Sequence, residues 1–224
     1  MAIMLEAAHR EGSMAVARNR IAEARKWLAE QKLDAVMAFN DGQNSFLDSN
    51  AVFVFTGVRA LGESVVVIPR DGDVLHIHAP AWDGARVAAA SAADRTLAVD
   101  EIGAALLACL AKTGLAKGAL GVVGLVKQRR TLANQVLAAL AQKPVANDTL
   151  ASTIARIRSP EELAASRKAT WIAERGYERL LEAARPGMRE FELAADIYAF
   201  MKALGSEDNF LLMSSSQHNL GVRA

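Results

Sequence analysis

The stretch SVVVIPRDGDVLHIH, residues 64–78, decides the architecture of the first part of the chain. Two runs rich in β-branched residues, Ser64–Pro69 and Asp73–His78, flank Arg70-Asp71-Gly72. Asp-Gly between two such runs is a strong hairpin signal, because both residues tolerate the positive φ that a tight turn demands. The two runs are therefore expected to be antiparallel neighbours in a sheet. Upstream, Ala51–Phe55 (AVFVF) reads as a further strand broken by Thr56-Gly57. Leu33–Phe39 (LDAVMAF) reads as a buried strand, followed by a loop that opens at Asn40-Asp41-Gly42 and extends to about Asn50. Met14, Ala17, Ile21, Ala24 and Leu28 recur at helical spacing among charged residues, which predicts an amphipathic helix behind a short disordered lead, Met1 to Met14.

Downstream of the hairpin, Asp100 is placed to cap a helix over Glu101–Lys112, closed by Gly114. Leu120–Val126 then predicts a strand, and Arg129–Gln142 a helix that ends before Pro144. Helix, strand, strand, hairpin, helix, strand, helix describes a mixed-sheet α/β domain, assigned to residues 1–152.

Residues 153–224 differ in character, being almost wholly helical from Ile154 to Leu204. Ser159, Pro160 and Glu162 form a complete helix start: a hydroxyl N-cap, proline at the first helical position, and a carboxylate that reaches back to the cap. Pro186-Gly187 stops this helix. A second begins at about Glu190, with Phe191, Ala194, Ala195, Tyr198 and Met201 on one face and Leu193, Ile197, Phe200 and Leu204 on another. Apolar residues on two faces imply contacts on two sides.

Composition bounds the function. With 26 basic and 25 acidic side chains and 5% aromatics, the chain lacks the basic, ring-bearing face of a nucleic-acid binder. Its single cysteine excludes an intrachain disulfide, and cytoplasm is the expected compartment. The longest uncharged apolar runs, near 102–111 and 119–126, fall short of the roughly 18–20 residues that a bilayer span needs, so no membrane association is expected.

Few residues carry a chemical signature. His76 and His78 alternate on one strand and so share a sheet face, with Asp83 nearby in sequence. Two imidazoles are too few for a typical zinc site, and the pair reads as sitting on a partly solvated face. Gly118, Gly121 and Gly124 match no phosphate-loop spacing and read as a close-packed or bulged strand. Cys109 reads as a buried, inert thiol. Ser214, Ser215 and Ser216 precede Gln217-His218, but with no nucleophile elbow and no orienting acid they read as a polar loop. The charges of the late helices, among them Arg167, Lys168, Glu174, Arg175, Glu178 and Arg179, read as solvated faces.

Two stretches together resemble the creatinase, prolidase and Xaa-Pro aminopeptidase family. NAVFVFTGVRALGESVVVIPRDGDVLHIH, residues 50–78, is similar to its N-terminal domain, where a Thr-Gly leads to a hairpin. IARIRSPEELAASRKATWIAERGYERLLEAARPGMREFELAADIYAFMKALG, residues 154–205, is similar to the segment that opens the family's pita-bread catalytic domain. The resemblance implies an N-terminal α/β domain followed by the first helices of an incomplete α+β pita-bread domain. It implies hydrolysis next to proline by two divalent metal ions and the water between them, or metal-free C–N hydrolysis in the creatinase branch. It also implies a homo-oligomer, commonly a dimer, in which one subunit's N-terminal domain shapes the active-site entrance of another.

The family's ligands, two Asp, one His and two Glu, lie downstream of the matched segment, so neither a catalytic nor a metal-ligating residue is carried over. Asp196 and Glu207 imitate the spacing of the two aspartates, but Asp196 falls inside a predicted helix. As substrate-binding candidates the resemblance implies His218, near the place of a substrate-contacting histidine, and Arg59, projecting from the N-terminal domain towards a neighbouring subunit's substrate. Where relatives commonly carry Thr at the second helix start, this chain has Arg189. That removes a cap acceptor typically worth about 1 kcal/mol, with no evident substitute. The resulting expectation is the N-terminal portion of a prolidase-like or creatinase-like hydrolase, not competent alone; the alternative is a non-catalytic dimerisation or ligand-binding module.

Overall fold

The structure, a computed structural model, describes residues 2–43, 50–207, 209 and 211–213. The chain divides into two compact units, Met1–Arg158 and Ser159–Ala224.

The first unit opens with α1 (Ala2–Gln31), so the expected disordered lead is helical instead. Ala17, Ile21, Ala24 and Leu28 are buried along α1, as their spacing predicts. Strand β1 (Ala35–Asn40) is buried at every position. The run AVFVF, expected as a strand, forms the short helix α2 (Ala51–Thr56). Its ends explain the outcome. The Asn50 side chain accepts from the Phe53 N–H at 2.9 Å, and Gly57, at φ 74°, closes the other end by donating to the Phe53 carbonyl at 2.8 Å. Because α2 is buried on most sides, its residues show no polar period that would mark a helix.

The expected antiparallel pair forms, β2 (Ser64–Pro69) with β3 (Leu75–His78), with Ser64 opposite His78 and Val67 opposite Leu75, but β3 begins at Leu75 rather than Asp73, and residues 70–74 make a longer connection in which Gly72, not Asp71, takes a positive φ. A 3-10 turn (Ala81–Asp83) and α3 (Gly84–Ala88) lead to the edge strand β4 (Arg95–Ala98). Then follow α4 (Ile102–Thr113), β5 (Leu120–Val123), α5 (Arg130–Ala139), β6 (Val145–Ala146) and α6 (Leu150–Ile154). Asp100 does not cap α4. Its carboxylate accepts instead from the Ala81 N–H at 2.9 Å, and Glu101 holds the cap position without a side-chain bond. Gly114 ends α4 in the left-handed region, as its position predicts.

The six strands lie in the order β4-β3-β2-β1-β5-β6, with β1 antiparallel to β2 and parallel to β5. Alternation along β1 divides the core between the two faces of the sheet. Val36 and Ala38 pack with α1, α2 and α6, whereas Ala35, Met37 and Phe39 pack with α4 and α5. Asp34 fastens β1 to its parallel neighbour by accepting from the Ala119 N–H at 2.9 Å.

In the second unit, α7 (Pro160–Ala183) starts with the expected box: Glu162 N–H donates to Ser159 Oγ at 3.2 Å, and Ser159 N–H donates to the Glu162 carboxylate at 2.9 Å. Ser159→Ala is expected to destabilise this unit by about 1 kcal/mol, read as an earlier urea midpoint; an unchanged midpoint would deny the box any role. Helix α8 (Glu190–Ala203) packs on α7 where Gly176 faces Met201 and where Arg179 grips Asp196 bidentately at 2.7 and 2.9 Å. Arg189 is not left without compensation: its N–H donates to the Glu192 carboxylate at 2.8 Å, the half of a capping box that needs no hydroxyl.

Candidate functional site

Strands β1 and β5 run parallel side by side, and the chain leaves them in opposite directions. After β1 it passes to α2 on one face of the sheet, and after β5 to α5 on the other. Such a switch point opens a crevice at the carboxyl ends of the strands, where ligands of open α/β sheets characteristically bind. Here it is a cleft of about 240 Å³ whose walls include Phe39, Asn40, Arg59, Val123, Gly124 and Gln128.

Gly124 makes the close approach of the two strand ends feasible. It has φ 74°, and a Cβ on it would lie 2.9 Å from the Phe39 carbonyl oxygen. Gly124→Ala is therefore expected to cost about 1–3 kcal/mol in a denaturant melt; a neutral result would mean that β1 and β5 do not meet as described. The Gly124 N–H donates to Asp148 at 2.7 Å, and its carbonyl accepts from Gln128 Nε2 at 3.3 Å. That bond pins the Gln128 amide and leaves its Oε1, buried, without a partner among the described residues. Asn40 Nδ2 is likewise buried and unpartnered there. Most buried polar atoms are hydrogen-bonded, so two orphans beside one cleft are informative.

The charges around the cleft balance, with Arg59 and Lys127 against Asp41 and Asp148. Arg59 is exposed; its guanidinium lies 5.4 Å from the centre of the Phe53 ring and its carbonyl accepts from Arg86 at 2.8 Å. The candidate suggested by the family resemblance thus borders the cleft. Asn40 and Gln128, the two buried polar groups, had no signature in the sequence beyond the Asn-Asp-Gly that ends β1.

The other candidates are distributed elsewhere. His76 and His78 share a face, as alternation requires, but both are fully buried, contrary to the expected partly solvated face. Beyond β3 the chain folds back through the 3-10 turn and α3, burying Asp83 and Val87, and Ser91 just after α3 meets His76 Nδ1 at 3.2 Å. Burial, with the neighbouring His78, pushes the His76 pKa down to about 3. Burial also lowers His78, against the attraction of Asp83. Asp83 is held below the usual carboxylate range by its hydrogen bond with Arg86.

Cys109 is half-buried rather than buried as expected, and the burial it has raises its pKa, consistent with an inert thiol. Gly121 lies within β5 against Trp27, while Gly118 and Gly124 flank the strand. Asp196 lies on α8, paired with Arg179. Among the described residues, no group of three or more His, Cys, Asp or Glu is placed to hold a metal ion. His218 and the Ser214–Ser216 run lie outside the described residues. No helix among the described residues is long and apolar enough to cross a membrane.

No family model matches the sequence, and no curated protein matches it. Solved structures do match. Prolidase from Pyrococcus horikoshii OT3 superposes with a TM-score of 0.68 at 17% identity, over 84% of this chain and 50% of that one. This chain has a prolidase-type fold. X-Pro aminopeptidase from Thermotoga maritima MSB8 gives the same score, identity and coverage, and Xaa-Pro dipeptidase from Bacillus anthracis scores 0.66 at 16% identity with coverage of 84% and 50%. The prolidase-type fold thus extends over most of this chain, which spans about half the length of the proteins it matches. The likeness at these identities is one of fold.

Proposed function

We propose that the chain is the N-terminal portion of a prolidase-like (Xaa-Pro peptidase) or creatinase-like hydrolase, and that it is not catalytically competent alone. The observation that carries this reading is the prolidase-type fold over 84% of the chain and only half of the matched proteins. In this reading, residues 153–224 begin a pita-bread catalytic domain. The two divalent ions of a metallopeptidase relative would be held by residues beyond those that match. The protein acts in the cytoplasm as a homo-oligomer, commonly a dimer. Arg59 and His218 face substrate, Arg59 across the subunit boundary.

Purified 224-residue protein is expected to show no metal-dependent cleavage of an Xaa-Pro dipeptide with manganese, cobalt or zinc present. Robust turnover would overturn the claim of incompetence. Sequencing the coding region beyond residue 224 tests the first half, because a downstream stretch with two Asp, one His and two Glu at ligand positions is expected.

A second reading, a non-catalytic dimerisation or ligand-binding module, is favoured by a specific feature. Trp171, Tyr177 and Leu181 on α7 and Phe191 on α8 are exposed, and exposed apolar surface of this kind promotes association. Sedimentation of the purified chain tests the association itself: a well-behaved monomer counts against the dimerisation module.

A further inference from the structure

A second cavity, of about 480 Å³, lies within the first unit on the α4 face of the sheet, and every residue that lines it is described. Its size falls within the range of small-molecule pockets. The strand registers define its floor. Val67 of β2 stands opposite Leu75 of β3, and Leu75 opposite Arg95 of β4, so the three form one cross-strand row whose side chains rise from the same face. Val67 is buried in the apolar cluster under α4, and Leu75, Cys109 of α4 and Leu115 just beyond α4 pack against that cluster while remaining half-buried. Adjacent strands lie roughly 4.8 Å apart, so Arg95 rises directly beside this apolar floor.

Arg95 closes the row with an unmatched charge. It is exposed on the edge strand, and no hydrogen bond or ion pair engages its guanidinium among the described residues. Burial raises the Cys109 pKa and the Arg95 charge acts against it, as a guanidinium on the cavity side of β4 does. Two carboxylates also border the cavity. Asp71 is turned to solvent, its side chain 92% exposed, and pairs with Arg70 at 3.6 Å; Asp73 precedes β3 and stands outside the row. An apolar floor that ends in an unpaired guanidinium is complementary to an apolar body carrying one carboxylate, because the guanidinium fork matches a carboxylate with two parallel N–H···O bonds. The two aspartates act against a more highly charged head such as phosphate. We propose that this cavity binds a small amphipathic monocarboxylate, of the class of medium-chain fatty or arylalkanoic acids, with its head at Arg95 and its body over Leu75, Cys109 and Leu115. The proposal is independent of the hydrolase reading: turnover tests that reading, and binding tests this one.

The experiment is a ¹⁵N-correlation titration of the full chain with octanoate as probe. Saturable shifts are expected at the backbone amides of Leu75, Arg95, Cys109 and Thr113. Octanamide keeps the tail and loses the charge, and Arg95→Gln removes the guanidinium from an exposed edge position; each is expected to weaken binding about tenfold, in line with the loss of charge-assisted hydrogen bonds. The octanamide arm needs no variant, so the test does not depend on how Arg95→Gln folds. Octylammonium and inorganic phosphate, titrated in parallel, are expected to bind more weakly than octanoate. Silence towards octanoate up to its solubility overturns the proposal, as do shifts that fall on α7 and α8 instead, the mark of adsorption to exposed apolar surface. Equal affinity for octanamide or in the folded variant overturns it too, and so does tighter binding of octylammonium or phosphate.

Discussion

Phe55→Ala is expected to lower the unfolding free energy of the first unit by about 3–5 kcal/mol, the cost of emptying a large, closely packed site. Phe55 is fully buried on α2, amid the cluster that also takes Val36, Ala38 and Leu28. The substitution also tests the unexpected helix. A strand over Ala51–Phe55 would turn Phe53 and Phe55 to one face and Val52 and Val54 to the other. The helix buries Ala51, Val52, Val54 and Phe55 and leaves Phe53 half-buried under the Arg59 guanidinium. Phe53→Ala is therefore expected to cost clearly less than Phe55→Ala in parallel urea titrations. Equal costs, or a loss below about 1 kcal/mol at Phe55, would contradict the packing described.

Acid is expected to destabilise the first unit through His76 and His78. Both imidazoles are held below their ordinary pKa of 6.5 in the folded chain, His76 to about 3, whereas the unfolded chain protonates them normally. The unfolded state therefore binds more protons as pH falls below 6.5, so stability is greatest above that value. It then declines by up to about 1.4 kcal/mol per pH unit for each histidine, until the folded-state pKa is reached. Asp83 adds a loss only at lower pH, because its folded pKa lies below 3.8. The region between 6.5 and 4.5 thus isolates the histidines. His76→Leu with His78→Leu is expected to flatten the stability profile across that interval, measured by denaturant melts at successive pH values. An unaltered slope would remove the pair from the account of acid sensitivity.

What could be read without coordinates follows from how local each determinant is. The β2–β3 pairing and the start of α7 are signalled by adjacent residues, Asp71-Gly72 and Ser159 with Glu162, and both form, the first through a connection longer than the tight turn, with Gly72 at positive φ. Strand β4 alternates between exposed and half-buried at the sheet edge, and β6 has only two exposed residues, so neither carries a hydrophobic pattern to recognise. For α2, composition favoured a strand while its caps, Asn50 and Gly57, specified a helix, and the caps prevailed because tertiary burial supplies what propensity lacks. The cleft was the least legible feature. Asn40 and Gln128 line one cleft only because β1 and β5 are neighbours, and nothing in either local sequence announces that adjacency. The burial of His76 and His78 was hidden for a related reason, since it depends on how the chain returns over the sheet through α3 to Ser91.

The position of β1 between β2 and β5 also governs the order in which the first unit can be assembled. Its pairing with β2 closes early, but the Asp34–Ala119 bond that begins the pairing with β5 spans 85 residues. During synthesis from the N-terminus, β1 therefore has one hydrogen-bonding edge open until β5 has emerged. The residues along that open edge are Ala35, Val36, Met37 and Ala38, all apolar. Closing so long a loop is slow compared with forming the local α7–α8 helical pair, and an apolar strand edge left open is a template for pairing with another chain. Newly made protein is thus most vulnerable to aggregation in the interval before residues 120–123 are available, a hazard that belongs to the order of the strands rather than to the finished fold.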